Sequence, residues 1–217
     1  MREVNLLDAY PKARRPIAER EAAAPVQREI ARKFGREYFD GDRTQGYGGY
    51  RYDGRWVAIA RRMADFYGLS ARDAVLDVGC AKGFLLHDFG LVVPGITVAG
   101  VDVSSYAIAN AMESVRPFVE VGSAVKLPYP DRSFDLVISI NVVHNLELTD
   151  CIQAIREMER VSRRFKYLQV DSYLDDTQKR NFERWQLTAV TYSDPAGWRH
   201  IFEQAGYTGD YFWTVTE

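Results

Sequence analysis

Two acidic residues and two glycines lie where a pair of predicted strands end. Residues 74–83 read AVLDVGCAKG, an apolar strand that contains Asp77 and runs into a loop with Gly79 and Gly83. A second apolar stretch, 96–101, ends at Asp102. Glycine lets the backbone adopt positive φ or pass close to a ligand, and the residues after the loop have helical character. The sequence therefore predicts a nucleotide-like ligand at a helix N-terminus.

The spacing within this loop disfavours several nucleotide cofactors. The dinucleotide fingerprint requires a small residue at the position of Phe84, and a P-loop requires its lysine after the second glycine, whereas Lys82 precedes Gly83. The sequence therefore disfavours NAD, FAD, ATP and GTP as the ligand. The strand, its acid and the two glycines suit a ligand that has an ammonium group and a ribose but no phosphate. Asp102, the acid after the second strand, is placed to accept hydrogen bonds from the ribose hydroxyls. That description fits S-adenosylmethionine.

Four segments in order extend this pattern: DVGCAKG, GVDVS, GSAVKLPYPDRSFDLVISINVVHNLE and AGYTGDYFWTV. Together they resemble a class I S-adenosylmethionine-dependent methyltransferase of the small-molecule type, over residues 70–217. In that family the first acid organises the methionine-binding turn, the second binds the ribose, and the turn after the third strand contacts adenine. The resemblance implies these cofactor-binding residues: Asp77, Gly79, Cys80, Ala81, Gly83, Asp102, Val103, Ser123, Ala124 and Asn141. Many relatives carry aspartate at the position of Ser123, whose hydroxyl can also accept a hydrogen bond.

The alternation of strands and helices predicts the fold class. Strands are expected over 74–78, 97–101, 119–121, 134–139 and 167–170, with helices near 56–67, 84–90, 105–114, 149–162 and 198–205. This order is typical of an α/β, Rossmann-like, doubly wound parallel sheet with right-handed crossovers. The resemblance further implies seven strands, mostly parallel, with an antiparallel last strand in a hairpin over 207–216.

The predicted domain division places an N-terminal helical and loop extension over 1–56 and the methyltransferase domain over 57–217. The extension includes a helix over 18–34 and is expected to lie outside the core. Its segment 38–56 interleaves glycines, aromatics and charges, which is typical of a mobile loop that closes over a ligand. The alternative is a packed connector whose tyrosines cover the core.

Methyl transfer from a sulfonium is an in-line displacement, and a general base is needed only if the acceptor carries a proton. Residues after the fourth strand of this fold face the cofactor. His144 lies there, and we predict that it contacts the substrate or acts as the base; the alternative is a structural histidine. Arginines could bind a carboxylate or phosphate and tyrosines could line a pocket. The predicted substrate-binding residues are Arg43, Tyr47, Tyr50, Arg51, Tyr52, Arg55, Asn145, Asp171 and Tyr173.

Bulk properties narrow the class of protein. The 217 residues, 47% of them hydrophobic, suffice for one domain with an extension. A net charge of −2 gives no general attraction to nucleic acid, so a nucleic acid substrate is disfavoured. The sequence contains neither a membrane-length apolar run nor a signal-peptide pattern, so we expect a cytoplasmic protein without a membrane partner. Two cysteines, Cys80 and Cys151, provide no disulfide framework and no metal site is expected.

The predicted function is methyl transfer from S-adenosylmethionine to an O or N atom of a small, anionic metabolite, such as a sugar, a polysaccharide precursor or a secondary metabolite. One alternative keeps the cofactor but makes an RNA base the acceptor. Another is a non-catalytic, methyltransferase-like module that binds a partner. A homodimer is left open.

Overall fold

A six-stranded sheet organises the chain in the computed structural model, which describes residues 1–11, 17 and 24–215. Its strands are β1 (Ala74–Val78), β2 (Thr97–Asp102), β3 (Val119–Val121), β4 (Phe134–Ile140), β5 (Ser162–Ser172) and β6 (Asp210–Val215), in the order β3-β2-β1-β4-β5-β6. All neighbouring strands pair in parallel. The α/β, Rossmann-like prediction is confirmed.

Helices pack on both faces of the sheet. They are α1 (Ala24–Ala31), α2 (Arg36–Asp40), α3 (Val57–Tyr67), α4 (Phe84–Val92), α5 (Ser105–Ala109), α6 (Leu148–Val161), α7 (Asp176–Trp185) and α8 (Pro195–Ala205). Helices α6 and α8 pack with Leu76 and Val137 on one face, and α3 and α4 pack with Val75 and Leu136 on the other. Strand β4 is consequently buried on both faces, which explains its uninterrupted apolar sequence. No helix in the described ranges is long and apolar enough to span a bilayer.

The strand order reverses between β1 and β4. The chain runs outward from β1 to β2 and β3, then returns to β4 on the other side of β1. In open parallel sheets, ligands bind outside the carboxyl ends of the strands at such a switch point. The glycine loop follows β1, and residues 141–145 follow β4, so the topology brings both to this place.

The last strand corrects the predicted topology. The sheet of the described residues has six strands rather than seven, and β6 runs parallel to β5. Helix α8 returns the chain to the starting end of the sheet and ends at Gly206, which adopts a left-handed conformation. Residues 207–209 therefore connect a helix to a strand instead of forming half of a hairpin, and the buried Tyr207 donates its hydroxyl hydrogen bond to the Asp210 carbonyl.

The N-terminal residues occupy the free edge of β6. The Val4 amide donates to the Tyr211 carbonyl, and the Tyr211 amide donates to the Arg2 carbonyl. The Arg2 guanidinium makes two 2.8 Å hydrogen bonds to the Asp210 carboxylate. Leu6 is 1% exposed and belongs to the core. The expectation that this segment lies outside the core is therefore wrong for its first residues.

Two further helix predictions differ from the structure in extent. The helix expected over 18–34 is present as α1 from Ala24, while residues 18–23 lie outside the described ranges. The helix expected over 105–114 ends at Ala109. Past this point the chain turns back to the glycine loop, because the Met112 amide donates to the Lys82 carbonyl.

The packing of the N-terminal segment against the core can be tested by truncating its buried side chain, Leu6. Leu6→Ala should lower the free energy of unfolding by about 2 to 5 kcal/mol, the usual cost of a cavity in a packed core. Leu174→Ala is the matched control, because Leu174 is 64% exposed, and it should change stability by less than about 0.5 kcal/mol. Urea unfolding measures both, and equal small effects would show that the segment does not pack as described.

Candidate active site

The glycine loop passes through a narrow gap between β2 and the turn after β4. The Gly79 and Cys80 amides both donate to the Val101 carbonyl, at 2.7 and 3.1 Å. Gly79 has φ +85°, and a Cβ there would lie 2.1 Å from Val142 Cγ2. A side chain is therefore excluded at Gly79 by both conformation and space. Gly83, with φ +74°, then begins α4.

The Cys80 side chain is buried between the loop and β2. Cys80 is 4% exposed, and its Sγ packs beside Gly100 of β2, where an added Cβ would approach it to 2.7 Å. Burial raises the pKa of the thiol. The role predicted for Cys80 toward the cofactor is therefore limited to its backbone.

Asp102 holds the glycine loop against the start of α5. Its Oδ2 accepts a hydrogen bond from the Ala81 amide and its Oδ1 accepts one from the Ser104 amide, both at 2.8 Å. Burial raises the pKa of Asp102, and these two hydrogen bonds oppose that shift. Each carboxylate oxygen has a second lone pair, so the group can still accept hydrogen bonds from a ligand.

Asp77 is a second buried carboxylate close to Asp102. It is 6% exposed, and no residue of the described chain donates a hydrogen bond to its side chain. Burial, and then the charge of Asp102, raise the pKa of Asp77 to about 7. Neither carboxylate has a salt bridge within the described ranges. A cation that entered here would stabilise the ionised forms of both.

The turn after β3 lies beside Asp102. The Gly122 amide donates to the Asp102 carbonyl at 3.0 Å, which places Ser123 and Ala124 next to this strand end. Ser123 is exposed, and Val103, which follows Asp102, is 62% exposed. The predicted adenine-side residues therefore share one accessible end of the sheet.

The turn after β4 carries two asparagines and the predicted catalytic histidine. Asn141 is exposed and has φ +59°, an uncommon conformation for a residue other than glycine. Its carbonyl accepts a hydrogen bond from Asn145 Nδ2 at 3.1 Å. The Asn145 Oδ1 is buried without a partner in the described chain. This turn lies beside the glycine loop, because Val142 contacts Gly79.

The hydrogen bond to the His144 ring determines which ring nitrogen carries the proton. The ring is 3% exposed, and its Nδ1 accepts a hydrogen bond from the Asp171 amide at 3.2 Å. Burial lowers the pKa of His144, opposed by the charge of Asp171. The neutral ring therefore carries its proton on Nε2. In this arrangement Nε2 can donate a hydrogen bond but cannot accept a proton, and the lone pair of Nδ1 is already in use.

The predicted arginines differ in their surroundings. Arg55 is bound to the Asp53 carboxylate through Nε and Nη2, at 2.8 and 2.5 Å. Arg43 lies over the Trp185 ring and donates to the Gly46 carbonyl. Arg51 is exposed and has no partner within residues 24–215. The structure therefore leaves Arg51 as the most available of the three for a ligand.

The predicted tyrosines pack against the domain and against each other. Tyr50 stacks on Phe84 with ring centroids 4.8 Å apart, and Tyr47 packs on Tyr50 at 4.5 Å. Tyr52 donates to Asp88 Oδ1 at 2.6 Å. Burial raises the pKa of Tyr50, and the charges of Tyr10 and Asp77 add to this shift. Among these rings, Tyr50 therefore lies near the buried carboxylates.

Two predicted residues follow β5. The Asp171 carbonyl accepts a hydrogen bond from Trp198 Nε1 at 2.9 Å, while the Asp171 amide fixes His144. Tyr173 lies under the ammonium of Lys179, with 5.6 Å to the ring centroid. Asp171 thus meets the turn after β4, whereas the described contact of Tyr173 is with α7.

Sequence reasoning missed Asp40, Lys82 and Tyr106, which join the N-terminal segment to the glycine loop. Lys82 Nζ lies 2.6 Å from Asp40 Oδ2, and Tyr106 donates to the same oxygen at 2.7 Å. The available signal was a lysine inside a loop of otherwise small residues. Elsewhere, surface cavities of about 820 Å³ beside Phe66 and about 530 Å³ beside His200 are lined by none of the predicted cofactor-binding residues. No cluster of metal-ligating side chains occurs in the described ranges.

Comparison with known proteins agrees with this architecture. Residues 76–168 match a family model described as a methyltransferase domain. The chain is 39% identical over 95 residues to ajmaline N-methyltransferase of Rauvolfia serpentina, covering 41% of this chain and 32% of that protein. It is 30% identical over 112 residues to 27-O-demethylrifamycin SV methyltransferase of Amycolatopsis mediterranei, covering 48% and 40%. The chain thus spans about a third to two fifths of the length of these relatives.

A solved structure shares the fold. The YcgJ protein of Bacillus subtilis superposes with a TM-score of 0.55 over 70% of this chain and 68% of that chain, at 23% identity. The matched domain model runs from β1 into β5 and includes the glycine loop, Asp102 and the turn after β4. Residues 76–168 are therefore similar to a methyltransferase domain, and the two relatives support assigning this part of the chain to the class I S-adenosylmethionine-dependent methyltransferases.

Proposed function

We propose that this chain binds S-adenosylmethionine and transfers its methyl group to an oxygen or nitrogen atom of a small molecule. The observation that carries the proposal is the pair of buried carboxylates, Asp77 and Asp102, which lack a cationic partner in the described chain. They lie at the switch point beside the glycine loop. A ligand with a sulfonium and an ammonium group would supply the missing positive charge.

The residues present fit this cofactor. Asp102 has free lone pairs for ribose hydroxyls, and the loop at Gly79 leaves no room for a side chain between the two strand ends. Val103, Ser123 and Ala124 are the proposed adenine contacts, and Asn141 is proposed to face the methionine side. When bound, the cofactor supplies a methyl group activated by its positive sulfur. The chain's own contribution is to hold the acceptor in line with that methyl group.

We assign His144 the role of a hydrogen-bond donor toward the acceptor rather than that of a base. Its Nδ1 lone pair is engaged by the Asp171 amide, and burial keeps the ring neutral. An amine acceptor that is already unprotonated needs no base, but its lone pair must face the methyl carbon. The His144 N–H would therefore bind a neighbouring oxygen of the same molecule and orient the amine through it. Asn145, whose Oδ1 has no partner in the described chain, is proposed to bind the acceptor beside it.

A small acceptor is favoured by the segment that covers the site. Residues 34–50 contact the glycine loop at Lys82 and the start of α5 at Ser104, which favours a compact substrate over an RNA base in an open duplex or loop. Arg51 is the proposed contact for an anionic group on that substrate. The names of the two relatives include an N-methyltransferase and a 27-O-demethyl substrate, so both acceptor atoms remain in the proposal. A hydroxyl acceptor would have to lose its proton to solvent before transfer, because His144 is not assigned as a base.

Calorimetric titration with S-adenosylhomocysteine tests cofactor binding. Asp102→Ala should weaken binding by about 1.5 to 3 kcal/mol, the value of a hydrogen bond to a charged group. Asp102→Asn, which keeps one carbonyl acceptor, should lose less. Asp65→Asn is the control, since Asp65 is exposed and lies in the last turn of α3, which precedes β1. Unchanged affinity in Asp102→Ala would show that the ribose is bound elsewhere.

Binding should also release a proton near neutral pH. The pKa of Asp77 in the folded protein is raised from 3.8 to about 7, so the group is partly protonated there, and a cationic ligand favours its ionised form. Affinity should therefore fall as the pH drops below about 7. Calorimetric titrations with S-adenosylmethionine in two buffers that differ in their heat of ionisation measure the number of protons released on binding. Asp77→Asn should abolish this release. An equal heat in both buffers would contradict the assignment.

The ligand-free protein provides a second check of the same carboxyl. A folded-state pKa above the unfolded value gives stability that is present at low pH and lost as the pH rises through about 7. Asp77→Asn should therefore unfold at a higher urea concentration than the native chain at pH 8, without ligand. Equal midpoints at pH 8 would show that the carboxylate is not held at an energetic cost.

The neutral state of His144 predicts the opposite slope. Its folded-state pKa lies below the ordinary value of 6.5, so stability should fall as the pH decreases below about 6.5. His144→Asn, whose Oδ1 can replace Nδ1 as the acceptor for the Asp171 amide, should flatten this slope. His144→Gln, which leaves that amide without its acceptor, should lose about 1 to 3 kcal/mol at pH 7. Urea unfolding at pH 5, 6 and 7 separates the two.

A further inference from the structure

The cofactor loop contains one long side chain, and that side chain binds the N-terminal segment. Lys82 is 7% exposed, and its ammonium lies 2.6 Å from Asp40 Oδ2 and 2.9 Å from the Tyr50 carbonyl. The other loop residues between Gly79 and Gly83 are cysteine and alanine. The loop thus devotes its one charged residue to a contact with residues 34–52, which we call the lid segment.

A second loop residue contacts the lid segment through its methyl group. Ala81 has φ +49°, a conformation that costs an L-residue free energy and that glycine would adopt freely. Its side chain packs with Phe39 of the lid segment and Ala107 of α5 in a small apolar cluster. The Ala81 amide donates to Asp102, the proposed ribose acceptor. Phe39, Ala81 and Asp102 therefore form a continuous chain of contacts.

Asp40 connects three parts of the structure. Its Oδ1 accepts a hydrogen bond from the Tyr50 amide at 3.0 Å, within the lid segment. Its Oδ2 accepts from Lys82 of the loop and from Tyr106 of α5. Nearby, Ser104 donates its hydroxyl to the Phe34 carbonyl at 2.5 Å. The lid segment is thus fastened directly to the loop and helix that flank the proposed cofactor site.

The N-terminal segment also reaches the other side of the site. Arg28 of α1 donates to the Glu183 and Gln186 carbonyls at the end of α7, and Arg43 lies over Trp185. The segment therefore crosses the carboxyl edge of the sheet from β2 toward the region after β5. A ligand in the glycine loop would be covered by it while these contacts last.

We propose that Lys82 and Asp40 are positioning residues that couple the lid segment to the cofactor loop, so that the adenosyl cofactor exchanges only when their ion pair opens. This inference rests on the proposed function. The physical reason is that the Lys82 side chain is 9% exposed and that of Asp40 is 24% exposed, so opening the pair would leave a buried ammonium without its carboxylate. The closed arrangement is therefore favoured, and the same contacts hold Ala81 and Asp102 in place.

The test measures the dissociation rate of fluorophore-labelled S-adenosylhomocysteine by stopped-flow fluorescence. Excess unlabelled S-adenosylhomocysteine is the trap. Lys82→Met and Asp40→Asn should each raise the rate by about tenfold or more. Because both substitutions break the same pair, the double variant should be no faster than the faster single variant. Asp53→Asn breaks an exposed ion pair with Arg55 and should change the rate by less than about twofold.

Conservative variants distinguish a role in cofactor exchange from a contribution to stability alone. Lys82→Arg keeps the positive charge and should restore most of the slow rate relative to Lys82→Met. Tyr106→Phe removes one hydrogen bond to Asp40 and should raise the rate by about threefold. This milder variant keeps the test decisive if the charge variants do not fold. A lower melting temperature with an unchanged dissociation rate overturns the inference.

The outcomes separate this inference from the function on which it rests. If the native chain does not bind S-adenosylhomocysteine, the proposed function fails and the inference fails with it. If the native chain binds and the rates of all variants match the native rate, the inference alone fails. Faster exchange in Lys82→Met and Asp40→Asn, non-additive in the double variant, supports both.

Discussion

The arrangement of the site depends on keeping two carboxylates out of water beside each other. Asp77 and Asp102 lie near the carboxyl ends of two adjacent parallel strands, so the topology itself brings them together. Burial of like charges is unfavourable, and the chain provides no cation for either within the described ranges. Asp102 compensates in part by accepting two backbone hydrogen bonds. Asp77 has no such partner, and its raised pKa expresses this cost.

The hydrogen bonds of Asp102 also explain how distant elements act on one site. A single carboxylate fixes the Ala81 amide on one side and the Ser104 amide on the other. Ala81 and Ser104 are in turn the contacts of Phe39 and the Phe34 carbonyl. The glycine loop, α5 and the N-terminal segment therefore share one anchoring group. In the same way, the Asp171 amide at the end of β5 sets the tautomer of His144 after β4.

Local patterns were sufficient to predict the core strands, and the candidate site was inferred from the order of their ends. The apolar run of β4 reflects burial on both faces, and the order of strand ends places Asp77, Asp102 and His144 at one edge. The antiparallel seventh strand was implied by resemblance alone, and the helical return through α8 replaces it. The contacts of Arg2, Asp40 and Lys82 join residues far apart in sequence, so no local periodicity reports them. The proton position on His144 likewise depends on a neighbour in another strand.

Pairing at the outer edge of β6 has a consequence for how copies of the chain meet. Exposed strand edges are templates for a foreign strand, and natural proteins cover or interrupt them. Here the cover is short: residues 2–4 pair only around Tyr211, held by Arg2 on Asp210. Displacement of this segment would expose the edge of β6, which contains Tyr211, Phe212 and Trp213. Residues 2–4 therefore help to prevent sheet-to-sheet assembly between copies of the chain.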